Sequence, residues 1–163
     1  MKKILSIVLT SVLLLSLFTV NISASSNIYN EIIVNETTEY FEDGSSITTT
    51  ISKQISNVIP LASSYNLTGS KTKTVKNADG DVLFKFKLTA TFSVNEGVSA
   101  TCTAVSCSAS DLASGWSLDS YTTSKSGNKA TATGHFVHKV LFITNVTQDV
   151  VNTLSCDANG NLS

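Results

Sequence analysis

Val82-Leu83-Phe84-Lys85-Phe86-Lys87-Leu88-Thr89-Ala90-Thr91-Phe92-Ser93-Val94 alternates apolar and polar side chains over thirteen residues, with Leu83 the one exception. Successive side chains of a strand point to opposite faces. Val82, Phe84, Phe86, Leu88, Ala90, Phe92 and Val94 therefore share one side, and Lys85, Lys87, Thr89, Thr91 and Ser93 share the other. The stretch reads as one long strand with a core face and a wet face. It is long enough to cross a bilayer as part of a pore-forming hairpin. Its three Phe, out of seven in the chain, are nevertheless the obvious core supply for a small domain, so an ordinary half-buried strand is the preferred reading.

Turn signals bound this strand on both sides: Asn77-Ala78-Asp79-Gly80 before it and Asn95-Glu96-Gly97 after it. Lys71 to Lys76 precedes the first turn. After the second, Val98, Ala100, Cys102 and Ala104 alternate with Ser99, Thr101 and Thr103. Trp116 and Leu118 open another strand, Ser124-Lys125-Ser126-Gly127-Asn128 is a turn, Ala130 to Val137 is a strand, and Val140 to Ile143 with Val146 to Cys156 form one or two more. Many short strands separated by turns predict an all-β domain, an immunoglobulin-like two-sheet antiparallel sandwich over residues 65–163. Usage agrees: 25 Ser and 21 Thr among 163 residues, with one Pro, suit pleated sheet. Hydrophobic residues at 42% exclude disorder, and charged residues at 14% exclude long solvated helices.

Residues 25–64 read differently. Glu31-Ile32-Ile33-Val34 and Ser46-Ile47-Thr48-Thr49-Thr50-Ile51 flank Glu42-Asp43-Gly44-Ser45, and Asp-Gly between β-prone runs signals a hairpin. A lone hairpin is marginal in water, so this N-terminal arm must dock on the main domain or stay mobile. Asn57 to Ser64, around Pro60, is the expected hinge. Residues 1–24 read as a signal peptide: a Met1-Lys2-Lys3 start, an apolar stretch from Ile4 to Val20, and a small residue at Ala24 where cleavage is expected. The mature chain is then one domain, secreted and not membrane-spanning. Without Lys2 and Lys3 it carries nine Lys, no Arg and twelve acidic residues. Nucleic acid is excluded as an expected partner, because phosphate and guanine recognition favour a basic stripe and the bidentate fork of Arg.

Three cysteines in an exported chain imply one pair and one thiol, or no intramolecular pair. Cys102 shares the parity of Val98 and Ala100, and Cys156 that of Val146, Val150 and Leu154, so a Cys102–Cys156 disulfide is the pairing expected, closing a loop that contributes about 4 kcal/mol by chain entropy. Cys107 has the opposite parity if its strand runs unbroken, and is expected as a free thiol facing out or in a loop. No catalytic set, metal site or cofactor is expected. His135 and His138, three apart in a strand, point to opposite faces. The many Ser and Asp carry no nucleophile-elbow pattern and no Gly-rich oxyanion loop, and Glu96, Asp111 and Asp119 are isolated near turns. A hydrolase would require two acidic groups, or a Ser and a His, to meet on one edge of the sandwich. Tyr65, Trp116 and Tyr121 are candidates for a ligand-stacking platform, against the commoner role of a lone Trp as core.

Tyr40-Phe41-Glu42-Asp43-Gly44-Ser45, Thr68-Gly69-Ser70-Lys71-Thr72, Ala100-Thr101-Cys102-Thr103, Ser124 to Ala132 and Thr153 to Ser163 resemble a family of small exported β-rich proteins of clostridia and related Gram-positive bacteria. The resemblance covers about Glu31 to the end. It implies a signal peptide, a short acidic hairpin, a β-rich domain and paired cysteines at Cys102 and Cys156; it implies no particular activity. Cys107 has no counterpart in that family, and Val137 to Val140 stands where the family more often has a Gly-bearing turn. The expected function is a secreted or cell-surface, non-enzymatic module binding an extracellular protein or glycan. The alternative is a secreted antagonist, bacteriocin-like or pore-forming, released by removal of the arm.

Overall fold

The computed structural model describes residues 30–55, 63–141 and 143–163. The expected signal segment with its cleavage point at Ala24, and residues 57–62 of the hinge expected from Asn57 to Ser64, lie outside the described residues, while Ser64 begins a strand. Eight strands follow one another: β1 (Asn30–Tyr40), β2 (Ser46–Ile55), β3 (Ser64–Lys76), β4 (Val82–Asn95), β5 (Ser99–Ser110), β6 (Trp116–Ser126), β7 (Lys129–Val140) and β8 (Ile143–Ser155). They form two antiparallel sheets, β1-β2-β3-β4-β5 (sheet A) and β6-β7-β8 (sheet B). The all-β, two-sheet expectation holds. The strand order differs from the immunoglobulin arrangement: within each sheet the strands pair in chain order, so both sheets are meanders without the Greek-key crossing of that fold.

The N-terminal hairpin turns at Asp43-Gly44, where Gly44 has φ 84° and Asp43 Oδ1 accepts from the Ser45 amide at 2.9 Å. It is a full part of sheet A. β2 pairs with β3 from Ser46↔Lys76 to Lys53↔Gly69, and Ile51 joins the core. Of the two alternatives open to a marginal hairpin, docking is therefore realised, by strand addition. β1 is one edge of sheet A, with every residue exposed, and Glu31, Glu36 and Glu39 are the charges that blunt it against pairing with other chains.

β4 lies at the centre. Phe84, Phe86, Leu88, Ala90, Phe92 and Val94 are buried, and sheet B covers them with Ala130, Ala132, Phe136, Val150 and Leu154. Phe136 stacks on Phe84 with ring centroids 3.9 Å apart and meets Phe86 edge-on at 5.6 Å. Gly134 makes room for these rings: a Cβ there would stand 3.0 Å from carbons of both Phe86 and Phe136. One polar side chain crosses the interface. Asn152, fully buried on β8, donates from Nδ2 to the carbonyls of Phe86 at 2.9 Å and Lys71 at 3.2 Å, tying sheet B to two strands of sheet A.

Bulges decide which residues face where. On β5, Thr91 opposes Ala104 but Phe92 opposes Cys102, leaving Thr103 as the extra residue. The inward set is Ala100 and Cys102 before it, and Val105, Cys107 and Ala109 after it.

Candidate functional site

The outward residues of sheet A build a trough across four strands. β1 contributes Glu36, Thr38 and Tyr40, β2 contributes Ser46, Thr48 and Thr50, β3 contributes Thr74 and Lys76, and β4 contributes Lys85; together they line a depression of about 560 Å³. A second depression of about 330 Å³ continues it through the shared Thr50, Thr74 and Lys85 towards Ser52, Thr72, Lys87 and Glu31. Three inter-strand spacings make the trough about 14 Å across. It exists because the wet faces of β1, β2 and β3 repeat Thr and Ser in register beside the lysines of β4, and the β-branched Thr suits a pleated surface.

Hydroxyls are tied to each other and to carboxylates. Thr38 and Thr48 share a hydrogen bond of 3.0 Å, and Thr50 Oγ1 donates to Glu36 Oε2 at 3.0 Å. At the other end Glu31 Oε1 accepts from Ser52 Oγ, from Ser70 Oγ at 2.9 Å and from Lys87 Nζ at 3.1 Å. The Ser52 hydroxyl above all, with Ser70 and the Lys87 ammonium, holds the Glu31 carboxyl below its usual range against the opposing effect of burial. Lys85 is likewise neutralised, 2.7 Å from Asp111. Most of the trough's charge is thus internally paired, and the surface it offers is hydroxyl-rich. Tyr40, 78% exposed, stands at one end with its ring in water.

The three aromatic residues expected to form a platform are not brought together. Tyr65 opposes Val94 and Trp116 packs on Phe84 at 5.1 Å; Val94 and Phe84 are ten residues apart on β4, about 33 Å. The Tyr65 hydroxyl fills the space beside Gly160, and burial, then the acidic neighbour Glu96, pushes its pKa up. Tyr121 is 60% exposed across from Gly134, five residues along β6 from Trp116. Trp116 has the role of a half-buried core residue and also lines an inter-sheet cavity of about 310 Å³ with Phe41, Ile47, Leu83, Val146 and Gln148. The exposed aromatic residue of the trough, Tyr40, was missed by reading aromatic residues one at a time. Its signal was the register set by the Asp43-Gly44 turn, which puts Tyr40 opposite Ser46 and Thr38 opposite Thr48.

The expected Cys102–Cys156 crosslink is not made: all three sulfurs are unbonded. The fold does bring both residues to one turn, for the Cys102 amide donates to Gly127 O at 2.8 Å and the Cys156 amide to Asn128 O at 3.1 Å. Each sulfur is turned instead to a carbonyl of its own segment, Cys102 to Ala104 and Cys156 to Asp157, both at 3.4 Å. Cys107 faces the core opposite Leu88, half-buried rather than outward, because the Thr103 bulge reverses the parity of the rest of β5.

Burial raises the pKa of all three thiols, and that of Cys156 goes from 9.0 to about 11 through burial first and Asp157 second, with Lys53 opposing. A thiol whose folded pKa lies above its unfolded one adds stability that is complete below the unfolded value and is lost as pH rises through the folded value. The melting temperature should therefore fall between about pH 9 and pH 11. In that window Cys156→Ala should show a shallower slope in a thermal-melt series. Iodoacetamide at pH 8 should label half-buried Cys107 ahead of buried Cys102 and Cys156, read by peptide mass spectrometry.

His135 and His138 lie on opposite faces of β7. His135 Nδ1 is 2.5 Å from Asp149 Oδ1, outward, and His138 packs against Trp116 at 5.3 Å. Among the described residues no group of three or more His, Cys, Asp and Glu is placed to hold a metal. Ser120 opposes His135 in register, but the ring's hydrogen bond goes to Asp149, and the trough and the inter-sheet cavity are lined by other residues. No protein-family model, curated protein or solved structure matches the chain.

Proposed function

We propose that this chain is an exported, non-enzymatic binding module whose trough on sheet A takes a neutral extracellular glycan. The observation that carries this reading is the combination of an open, hydroxyl-lined surface with charges that are largely balanced: Lys85 is ion-paired with Asp111 and Lys87 with Glu31, while Glu36, which accepts from the Thr50 hydroxyl, and Lys76 are of opposite sign. Such a surface offers many donors and acceptors to sugar hydroxyls and no concentrated charge to attract nucleic acid or anionic polymer. The exposed Tyr40 ring supplies the apolar face on which a pyranose ring stacks.

The experiment is retention on insoluble neutral polysaccharides (cellulose, chitin, starch and β-1,3-glucan), comparing wild type with Tyr40→Ala and Thr48→Val/Thr74→Val. The expected result is retention on at least one of them, weakened about two- to tenfold by Tyr40→Ala, taking a stacking contact as worth about 0.5–1.5 kcal/mol beyond burial. Wild type that passes through all four columns, or a Tyr40→Ala variant retained as well as wild type, would sink the reading. The antagonist reading is disfavoured by packing. Removing residues 25–64 would strip β2 from β3 and take Ile51 out of the core.

A further inference from the structure

Sheet A ends in two strands of opposite character. β1 carries Glu31, Glu36 and Glu39 and is broken by a bulge between Ile33 and Asn35. At the other end β5 runs from Ser99 to Ser110 without one charged side chain, and among the described residues no strand pairs beyond it. The edges of sheet B differ from it too: β8 carries Asp149, and β6 carries Lys125 and has Asp119 at a bulge. The first part of the β5 edge is covered by the β6–β7 turn, where the Cys102 amide donates to Gly127 O at 2.8 Å and Lys125 Nζ donates to Thr103 O. What remains is the run from Ala104 to Ser110, in which Ala104, Ser106, Ser108 and Ser110 are exposed. A neutral edge of small side chains presents unpaired backbone donors and acceptors with none of the devices that keep an edge single.

We propose that this edge pairs antiparallel with the same edge of a second copy of the chain, joining two copies of sheet A into one continuous sheet. The backbone selects a strand as the occupant, and charge selects a copy of this one. A two-fold pairing that uses the whole run centres on its middle residue, Cys107, so Ser106 lies opposite Ser108 of the second copy and Val105 opposite Ala109. One step further along, the same register brings Asp111 opposite Thr103 of the second copy, the residue whose carbonyl holds Lys125. The Asp111 side chain is 55% exposed and can reach that ammonium while keeping Lys85. An acid at one end of the run and a base at the other meet twice in an antiparallel pair; in a parallel pair acid would meet acid. Addition of β5 to β1 of another copy would set it against three Glu and a bulge, and would not close. The ladder is short, so the dimer is a weak one, below the area of a permanent interface. The two-fold axis stands normal to the sheet and leaves both outward faces on one side, so on the glycan reading two troughs meet a polymer together; the pairing itself needs no glycan.

The test is sedimentation velocity from about 5 µM to about 500 µM, on protein without residues 1–24, whose apolar stretch would associate by itself. The expected result is a reversible monomer–dimer equilibrium with a Kd on the order of 100 µM. Ser106→Lys/Ser108→Lys places lysine opposite lysine twice and should leave a monomer throughout. Its equimolar mixture with Ser106→Glu/Ser108→Glu should regain the dimer, seen as the mixed species by native mass spectrometry, which also shows that both variants fold. Asp111→Asn suits the left-handed backbone at that position, φ 51°, and should weaken the dimer about threefold or more and flatten its dependence on salt. The proposal is overturned by a monomer at every concentration, by a lysine variant that dimerises like wild type, by a mixture that stays monomeric, by an Asp111→Asn dimer as tight as wild type, or by growth into polymers larger than a dimer.

Discussion

Phe136→Ala should lower the unfolding free energy by about 3–5 kcal/mol, the range for emptying a large aromatic site in a core. Phe136 is fully buried and is the piece of sheet B that touches both Phe84 and Phe86 of β4. Its neighbours leave little scope for collapse into the hole. Gly134 has no side chain to swing in, and Ala130 and Ala132 on the same face are already at their full reach. The cavity therefore stays open, which puts the cost in the upper part of the range. Urea unfolding followed by Trp116 fluorescence measures it, since Trp116 packs on Phe84 and is the one Trp of the chain. A loss below about 1.5 kcal/mol would mean that the two sheets are not held together through this ring.

Asn152→Asp should be of similar size and of different character. The substitution changes shape hardly at all, but it replaces the amide nitrogen that donates to Phe86 O and Lys71 O with an oxygen facing two carbonyls. At neutral pH the cost is about 3–5 kcal/mol, as for a buried charge without a partner. The sign with pH follows from linkage. Burial without a cation raises the folded pKa of the new carboxyl above its unfolded value, so the folded variant is best supported below about pH 4, where the protonated acid donates one of the two lost hydrogen bonds, and it weakens as pH rises. Thermal melts from pH 3 to pH 8 should show the gap between variant and wild type widening with pH. A pH-independent gap would place the side chain in contact with water.

The parts of the fold that were legible in the sequence are those with an unbroken period. The alternation from Phe84 to Val94 located β4 and its core face, and Asp43-Gly44 located the first hairpin; Val82, expected on the core face, lines the trough instead, because Leu83 is the extra residue where β4 meets Lys76 and is the one packed on the core. Where one residue is inserted, alternation misleads by one position, and every side chain beyond it changes face. Thr103 does this to Cys107, and Asp119 does it to the residues from Ser120 onward. Sequence spacing cannot reveal a bulge when both neighbours are small, as Cys102 and Ala104 are beside Thr103, or when the residues beyond it are polar, as Ser120 is after Asp119. Asn152 was concealed for another reason: its spacing from Val150 and Leu154 marks the inner face, while its chemistry argues for water, and only the facing carbonyls of sheet A resolve the conflict. The trough escaped notice because no single strand holds it. It emerges from four strands whose outward Thr, Ser and Lys look, one strand at a time, like ordinary solvated positions.

The meander order has a consequence for how the chain acquires its structure. Each strand finds its partner in the segment just made, so loop closures are short and the pairing step is fast for a β protein. A chain made from its N-terminus can complete sheet A once Ser110 has emerged, before any residue of sheet B is available. At that moment Phe84, Phe86, Leu88 and Phe92 form a bare apolar sheet in water, and they stay so until β7 and β8 arrive. The vulnerable species in biogenesis is this half-sandwich, and the interval between the emergence of Ser110 and that of Leu154 sets how long it must be kept from its own copies.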